Sequence, residues 1–234
     1  MKGFVFKQNN MAVIPKNKPQ NLTQALFDQR VSKYNIDRAN HPIVILGLRD
    51  YYDDAVGGSQ NDRNFYDDAG AMSIYFKDGR KALFVFNWNT DPSLFRPATA
   101  KQKGIATLQT GVYHAHKIDW HGGKYVALCQ RAAIVSVLRD GGLTDKGYLG
   151  INIHSGGNNG TYSEGCQTSP PLQFVELMTA VFAYFDIDYA KLFVNPFKPT
   201  QAERKAFNDM LVRNRELSSL IVPYVIENFK QVTV

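Results

Sequence analysis

The chain has 234 residues, 44% of them hydrophobic, with a net charge of +6 and a pI near 9.2. This is enough apolar material for a sizeable core, which excludes a disordered class, and the longest apolar runs, HPIVILGL and KALFVF, fall well short of the roughly 18 residues a membrane-crossing helix needs. Two cysteines are too few for a disulfide scaffold, and the dispersed positive charge suits acidic polymers or surfaces in general.

The N-terminal MKGFVFKQNN lacks the roughly 7 to 15 residue apolar core of a secretory signal, so the expectation is a chain made in the cytoplasm and not exported by that route. Residues 16 to 40 place Leu22, Ala25, Leu26, Val31 and Tyr34 among polar residues and predict a first helix, with Asn21 as its N-cap. Pro42 to Leu48 is short, continuously apolar and β-branched, as a strand buried on both faces would be. A long loop rich in Asp, Asn, Gly and Tyr follows, from Gly47 through GGSQNDRNFYDDA.

Successive strands are predicted at Ala71 to Tyr75, Ala82 to Trp88, Gly111 to Ala115, Tyr125 to Gln130, Ala132 to Leu138 and Tyr148 to Ile153, separated by the turn signals KDGRK, DPS, HGGK and RDGG. After Pro170-Pro171, the stripe Phe174, Val175, Met178, Val181, Phe182, Phe185 predicts a packing helix. A last helix, about Pro199 to Leu220, opens on a Thr200-x-x-Glu203 capping box. The class is α+β: a β-rich core, sandwich or barrel, of mostly antiparallel strands with helices at both ends. The expected division is an N-terminal helical segment over 1–42, a β-rich main domain over 43–190 and a C-terminal helical extension over 191–234 packed on it.

Within GINIHSGGNNGTYSEGCQTSPP, His154 and Cys166 stand at either end of a loop that is too glycine-rich and polar to build core. A thiol is a poor nucleophile until it loses its proton, and a nearby imidazole is the common device for that, so Cys166 is expected to ionise more readily than Cys129. Gly165 permits the tight turn that aims backbone N–H groups at an oxyanion, and Ser163 can support it.

These residues resemble a family. His154-Ser155 and the block Ser163-Glu164-Gly165-Cys166 look like the signature of L,D-transpeptidases, and the wider context NDRNFYDDA, FNWNTDPS, LQTGVYHAHKIDWHGGKYVALCQ and VLRDG is similar to a phage-associated branch of L,D-transpeptidase-like proteins, over about residues 44 to 185. The resemblance implies an L,D-transpeptidase-like core acting on peptidoglycan stem peptides. Cys166 would be the nucleophile, His154 its base, Ser155 the residue orienting the imidazole, and the Gly165–Cys166 backbone the oxyanion donor. Gln167 and Thr168 depart from the apolar residue and arginine the family often has there, which leaves recognition of a donor carboxylate unassigned. Glu164 stands where the family often has histidine, and an acid beside the nucleophile opens a glycan-cleaving alternative with Asp62, Asp67 or Asp68 as partner.

Other clusters are candidate substrate contacts. Asp62, Arg63, Tyr66, Asp67 and Asp68 crowd a loop dense in hydrogen-bonding groups, which reads either as a substrate surface or as a network tying the loop down. Tyr113 and His121 would border the cleft by the resemblance. His114-Ala115-His116 with His121 has a spacing zinc can use, but no HExxH accompanies it and neither metal nor cofactor is expected. Zinc-finger spacing, a P-loop and RRM-like aromatics are missing, so nucleic acid is not an expected partner, nor is stable membrane insertion. The functional expectation is a phage-type, endolysin-like cell-wall hydrolase that uses Cys-His chemistry on peptidoglycan and reaches the wall after release. An L,D-transpeptidase proper, a glycosidase using Glu164, and a non-catalytic wall-binding or virion protein are the alternatives.

Overall fold

The computed structural model describes residues 14–52 and 63–229. Among these, the elements in chain order are α1 (Gln24–Ser32), β1 (Ile43–Arg49), β2 (Asp68–Tyr75), β3 (Lys81–Trp88), β4 (Ala106–Leu108), β5 (Gly111–His121), β6 (Tyr125–Gln130), β7 (Val135–Arg139), β8 (Thr144–Gly147), β9 (Ile153–Ser155), β10 (Gln167–Ser169), α2 (Pro171–Ala183), α3 (Tyr189–Leu192), α4 (Gln201–Arg213), α5 (Arg215–Ser219) and β11 (Val222–Asn228). The class is α+β and β-rich, as the strand-and-turn spacing predicts.

Eight strands form one sheet in the order β10-β9-β6-β5-β11-β1-β2-β3, and β4-β7-β8 form a smaller one. The large sheet curls until its edges nearly meet. Asn89, just past β3, exchanges backbone hydrogen bonds of 2.8 and 2.9 Å with Thr168 of β10. The pairings are antiparallel except β9 with β10 and β1 with β11. A barrel-like sheet of this kind leaves little exposed edge.

Strand β1 is apolar on both faces because both are covered. Val44, Leu46 and Leu48 meet Phe27 and Val31 of α1, while Ile43 and Ile45 face the main core with Met72, Phe86 and Trp88, the two-residue alternation of a strand. Gly47 takes its place on that interior face because Tyr224 lies against it; a Cβ there would sit 2.1 Å from the Tyr224 hydroxyl. Trp88 fills the space over Gly70 in the same way. Helix α2 starts with Pro171 in its first turn, where the missing N–H costs nothing, and buries Phe174, Leu177, Met178, Val181 and Phe182.

Four expectations change. The cap of α1 is Thr23, whose hydroxyl accepts from Leu26 N–H, and not Asn21. The expected strand Tyr148 to Ile153 is reduced to its last residue in β9, because the Gln130 side chain satisfies the preceding loop: its Oε1 accepts from the Leu149 and Ile151 amides and its Nε2 donates to the Gly147 carbonyl. The loop after β1 ends earlier than expected, since Asp68 already opens β2. The C-terminal stretch forms the expected helix as α4, with the Thr200–Glu203 capping box in place, and α5. It then contributes β11 to the middle of the large sheet, between β1 and β5. Both faces of β11 are buried, and its Glu227 pairs with Arg30 of α1 at 3.2 Å.

Candidate active site

The two ends of the glycine-rich loop are brought together by parallel strands. Gln167 pairs with Ile153 and Thr168 with His154, and the Gln167 amide donates to the Asn152 carbonyl at 2.8 Å. Cys166 therefore stands one step before β10, opposite Asn152. Alternation puts Asn152 and His154 on the same face of their strand, so thiol and imidazole share one face of the sheet, offset by two residues.

The turn into Cys166 is built as its composition suggests. Ser163 Oγ accepts from the Gly165 amide at 3.0 Å and donates to the Cys166 carbonyl at 2.6 Å. Ser163 is itself fixed by Ser93, through its amide to Ser93 Oγ and its carbonyl from the Ser93 amide. Gly165 has φ of +135°, and a Cβ there would meet the Ala106 carbonyl at 2.6 Å, so only glycine fits. The Gly165 amide is spent on Ser163, which leaves the Cys166 amide of the expected oxyanion pair.

His154 is buried, at 7% exposure. Its Nδ1 lies 2.8 Å from the Ser155 carbonyl, so Nδ1 carries the proton and Nε2 is left as the basic nitrogen. Ser155 does orient the imidazole, but through its carbonyl; its hydroxyl donates to the Gly156 carbonyl instead. The Tyr125 hydroxyl reaches the same Ser155 carbonyl at 3.2 Å and lies 3.3 Å from His154 Nδ1. Burial first, then the neighbouring His121, pulls the His154 pKa down to about 4, against the pull of the Ser155 carbonyl.

Cys166 is half-buried. Its Sγ accepts from the Asn152 amide at 3.3 Å and donates to the Gly150 carbonyl at 3.2 Å. The thiol and His154 thus face each other's neighbourhood without a direct bond. Burial pushes the Cys166 thiol up to about 11, the Asn152 amide draws it back, and the charge of Glu164 adds to the rise. The expected readily ionised thiolate is not what this geometry favours: at neutral pH both members of the pair are uncharged, because burial disfavours charge on each.

The remaining candidates separate. Glu164 is exposed and lies 3.4 Å from the Arg96 guanidinium. Tyr66 is fully buried and donates to the Gly157 carbonyl at 2.8 Å. Arg63 grips the Asp140 carboxylate with both guanidinium nitrogens, at 2.6 and 3.0 Å. Asp68 is buried, accepts from the Asp50 and Thr90 amides, and is pushed up to about 7 by burial and Asp91, with Arg49 opposing. The Asp67 carbonyl accepts from the Tyr52 amide. These contacts make the cluster a brace for the loops around the site. Asp62 lies outside the described residues.

Tyr113 donates to the Gln109 and Ser136 carbonyls, at the smaller sheet. His121 stacks on His154, while His116 is buried with Nε2 at the Ile151 carbonyl and His114 contacts His41. The three imidazoles are dispersed, and among the described residues no three metal-ligating groups converge.

The residues that sequence reasoning missed are Asn152, Gln130, Tyr125 and Arg96. Asn152 carried a signal: a polar residue two places before His154 in the apolar stretch GINIH must share the histidine's face. Comparison of the chain with protein-family models, with curated proteins and with solved structures returns no match.

Proposed function

We propose that the chain is a cysteine-dependent, peptidoglycan-active enzyme with an L,D-transpeptidase-like core, acting on stem peptides as a wall hydrolase. The observation that carries this reading is the placement of Cys166 and His154 on one face of paired parallel strands, with the imidazole's Nδ1 proton tied to the Ser155 carbonyl. Nε2 is then free to accept the thiol proton.

In this mechanism the thiol turns from the Gly150 carbonyl, and His154 Nε2 takes its proton as sulfur attacks a stem-peptide carbonyl. The Cys166 amide receives the developing oxyanion. The imidazolium returns its proton to the departing amine, and the S–acyl bond is cleaved by water, or by an amine if the enzyme transfers. Since the resting pair is uncharged, proton transfer accompanies attack. Glu164 is exposed and ion-paired, whereas a glycosidase acid is usually shielded so that it stays protonated; this favours the thiol.

The test sets two neighbours against each other on purified sacculi, once both variants are shown to be folded. Cys166→Ala should abolish clearing, and Glu164→Gln should leave measurable activity. Mass spectrometry of the products should show cut peptides and intact glycan strands. Clearing by folded Cys166→Ala sinks the proposal, new cross-links in place of cuts assign a transpeptidase, and binding without clearing by the unsubstituted protein leaves a wall-binding protein.

A further inference from the structure

His121 ends β5, and its ring lies almost flat against that of His154, with centroids 4.2 Å apart and planes 19° apart. His121 Nδ1 is 3.0 Å from Asn152 Nδ2. The orientation of that amide is set from its other side. Asn152 Oδ1 accepts from the Gln130 backbone N–H at 2.8 Å, so Nδ2 is the donor and His121 Nδ1 the acceptor, with the His121 proton on Nε2. His154 has the opposite tautomer, its proton on Nδ1 and given to Ser155. The backbone N–H of the same Asn152 donates to Cys166 Sγ. One asparagine thus touches the nucleophile with its main chain and the neighbour of the base with its side chain.

We infer that His121 is a positioning residue: clamped by Asn152 and laid against His154, it fixes the ring plane of the base that receives the Cys166 proton. Its catalytic meaning rests on the thiol reading proposed above, while the clamp rests on the geometry alone.

The clamp accepts one charge state. A proton on His121 Nδ1 would set donor against donor at Asn152, and turning the amide would take Oδ1 away from the Gln130 N–H. It would also place a cation against the face of His154. The surroundings keep His121 neutral: burial first, then Lys124 and Arg131, hold its pKa below the usual histidine value. Arg204 reaches the same hairpin through the Gly123 and Lys124 carbonyls. Asp119 on β5 is taken by Arg131 at 2.5 Å. Tyr125 packs on both His121 and, through its hydroxyl, His154. Protonation of His121 would therefore break its hydrogen bond with Asn152.

The test uses the full chain with ¹⁵N-labelled histidines. At pH 7, His121 should be protonated at Nε2 and His154 at Nδ1. His121→Phe keeps a flat ring but removes acceptor and charge, whereas His121→Gln keeps an acceptor that does not titrate. In both variants His154 should titrate at higher pH, since a basic neighbour is gone. Turnover of sacculi at pH 7 should fall about 10- to 100-fold in His121→Phe, which loses the acceptor for Asn152, and by less in His121→Gln, which keeps an acceptor but loses the ring laid on His154, because misplacing a reacting group by about 1 Å is worth a loss of that order. Reversed tautomers, an unmoved His154 titration in both variants, or equal turnover in the two would overturn the inference. An inert wild type that shows the expected tautomers and titrations would count against the wall-enzyme reading and in favour of the clamp.

Discussion

In its resting state the Cys166 thiol meets two backbone groups, the Asn152 N–H and the Gly150 carbonyl, and neither is a base. Its reactivity is therefore set by access and pH. Cys129 is fully buried, with its thiol pushed up to about 12 chiefly by burial; Cys166 is half-exposed. Iodoacetamide should label Cys166 in the native protein and Cys129 only on unfolding. Between pH 7 and 9 the Cys166 rate should rise about tenfold per pH unit, following the thiolate fraction below its pKa; a flat profile read by peptide mass spectrometry would mean a preformed thiolate. His154, Ser163, Gly165 and Cys166 were legible in the sequence because the turn that joins them is local. Asn152 and Gln130 were not, and His121, expected only to border the cleft, could not be placed against His154, because their meeting depends on how β5, β6 and β9 pair, and pairing is settled by distant residues.

Among the strands, β11 links the site to the barrel. Its Tyr224 lies inside, donates to Gln167 Oε1 at 2.8 Å and accepts from Trp88 Nε1 at 3.3 Å. Gln167 is the residue after Cys166. Tyr224→Phe leaves both partners buried and unsatisfied, and should cost about 1 to 3 kcal/mol in urea unfolding; no loss would mean that water replaces the hydroxyl. The elements read correctly from sequence, β1, β3, β6, α2 and α4, carry strong local patterns or caps. β11 lies in the stretch whose sequence predicts a helical extension. Its apolar VPYVIEN gains its meaning from β1 and β5, far away in the chain, which no local pattern announces.

For the molecule as a whole, buried His116 is expected to give one pH-dependent part of its stability. His116 is fully buried, with Nε2 at the Ile151 carbonyl and Nδ1 unpartnered, and burial pulls its pKa to about 4. Unfolded, it titrates near 6.5, so the unfolded chain binds the extra proton and stability is lost as pH falls from about 6.5 to about 4. Asp68 has the opposite sign: its pKa is raised to about 7 in the fold, so its contribution is full below about pH 4 and is lost as pH rises toward 7. The windows overlap, and the informative quantity is the difference between wild type and His116→Gln, which keeps an N–H for Ile151 but does not titrate. Wild type should lose on the order of 2 to 3 kcal/mol relative to the variant between pH 6.5 and 4; a constant difference would mean that His116 titrates alike folded and unfolded. The central place of β11 also orders events during synthesis. Ile45 is paired with Tyr224, so β1 waits until residue 224 has left the ribosome before its permanent neighbour on that side exists. Long-range parallel pairing is slow to form, and until it forms Tyr224 cannot hold Gln167. A nascent chain would carry the Cys166 thiol before the strand that braces its turn, and assembly of that turn would be withheld until translation had passed residue 228.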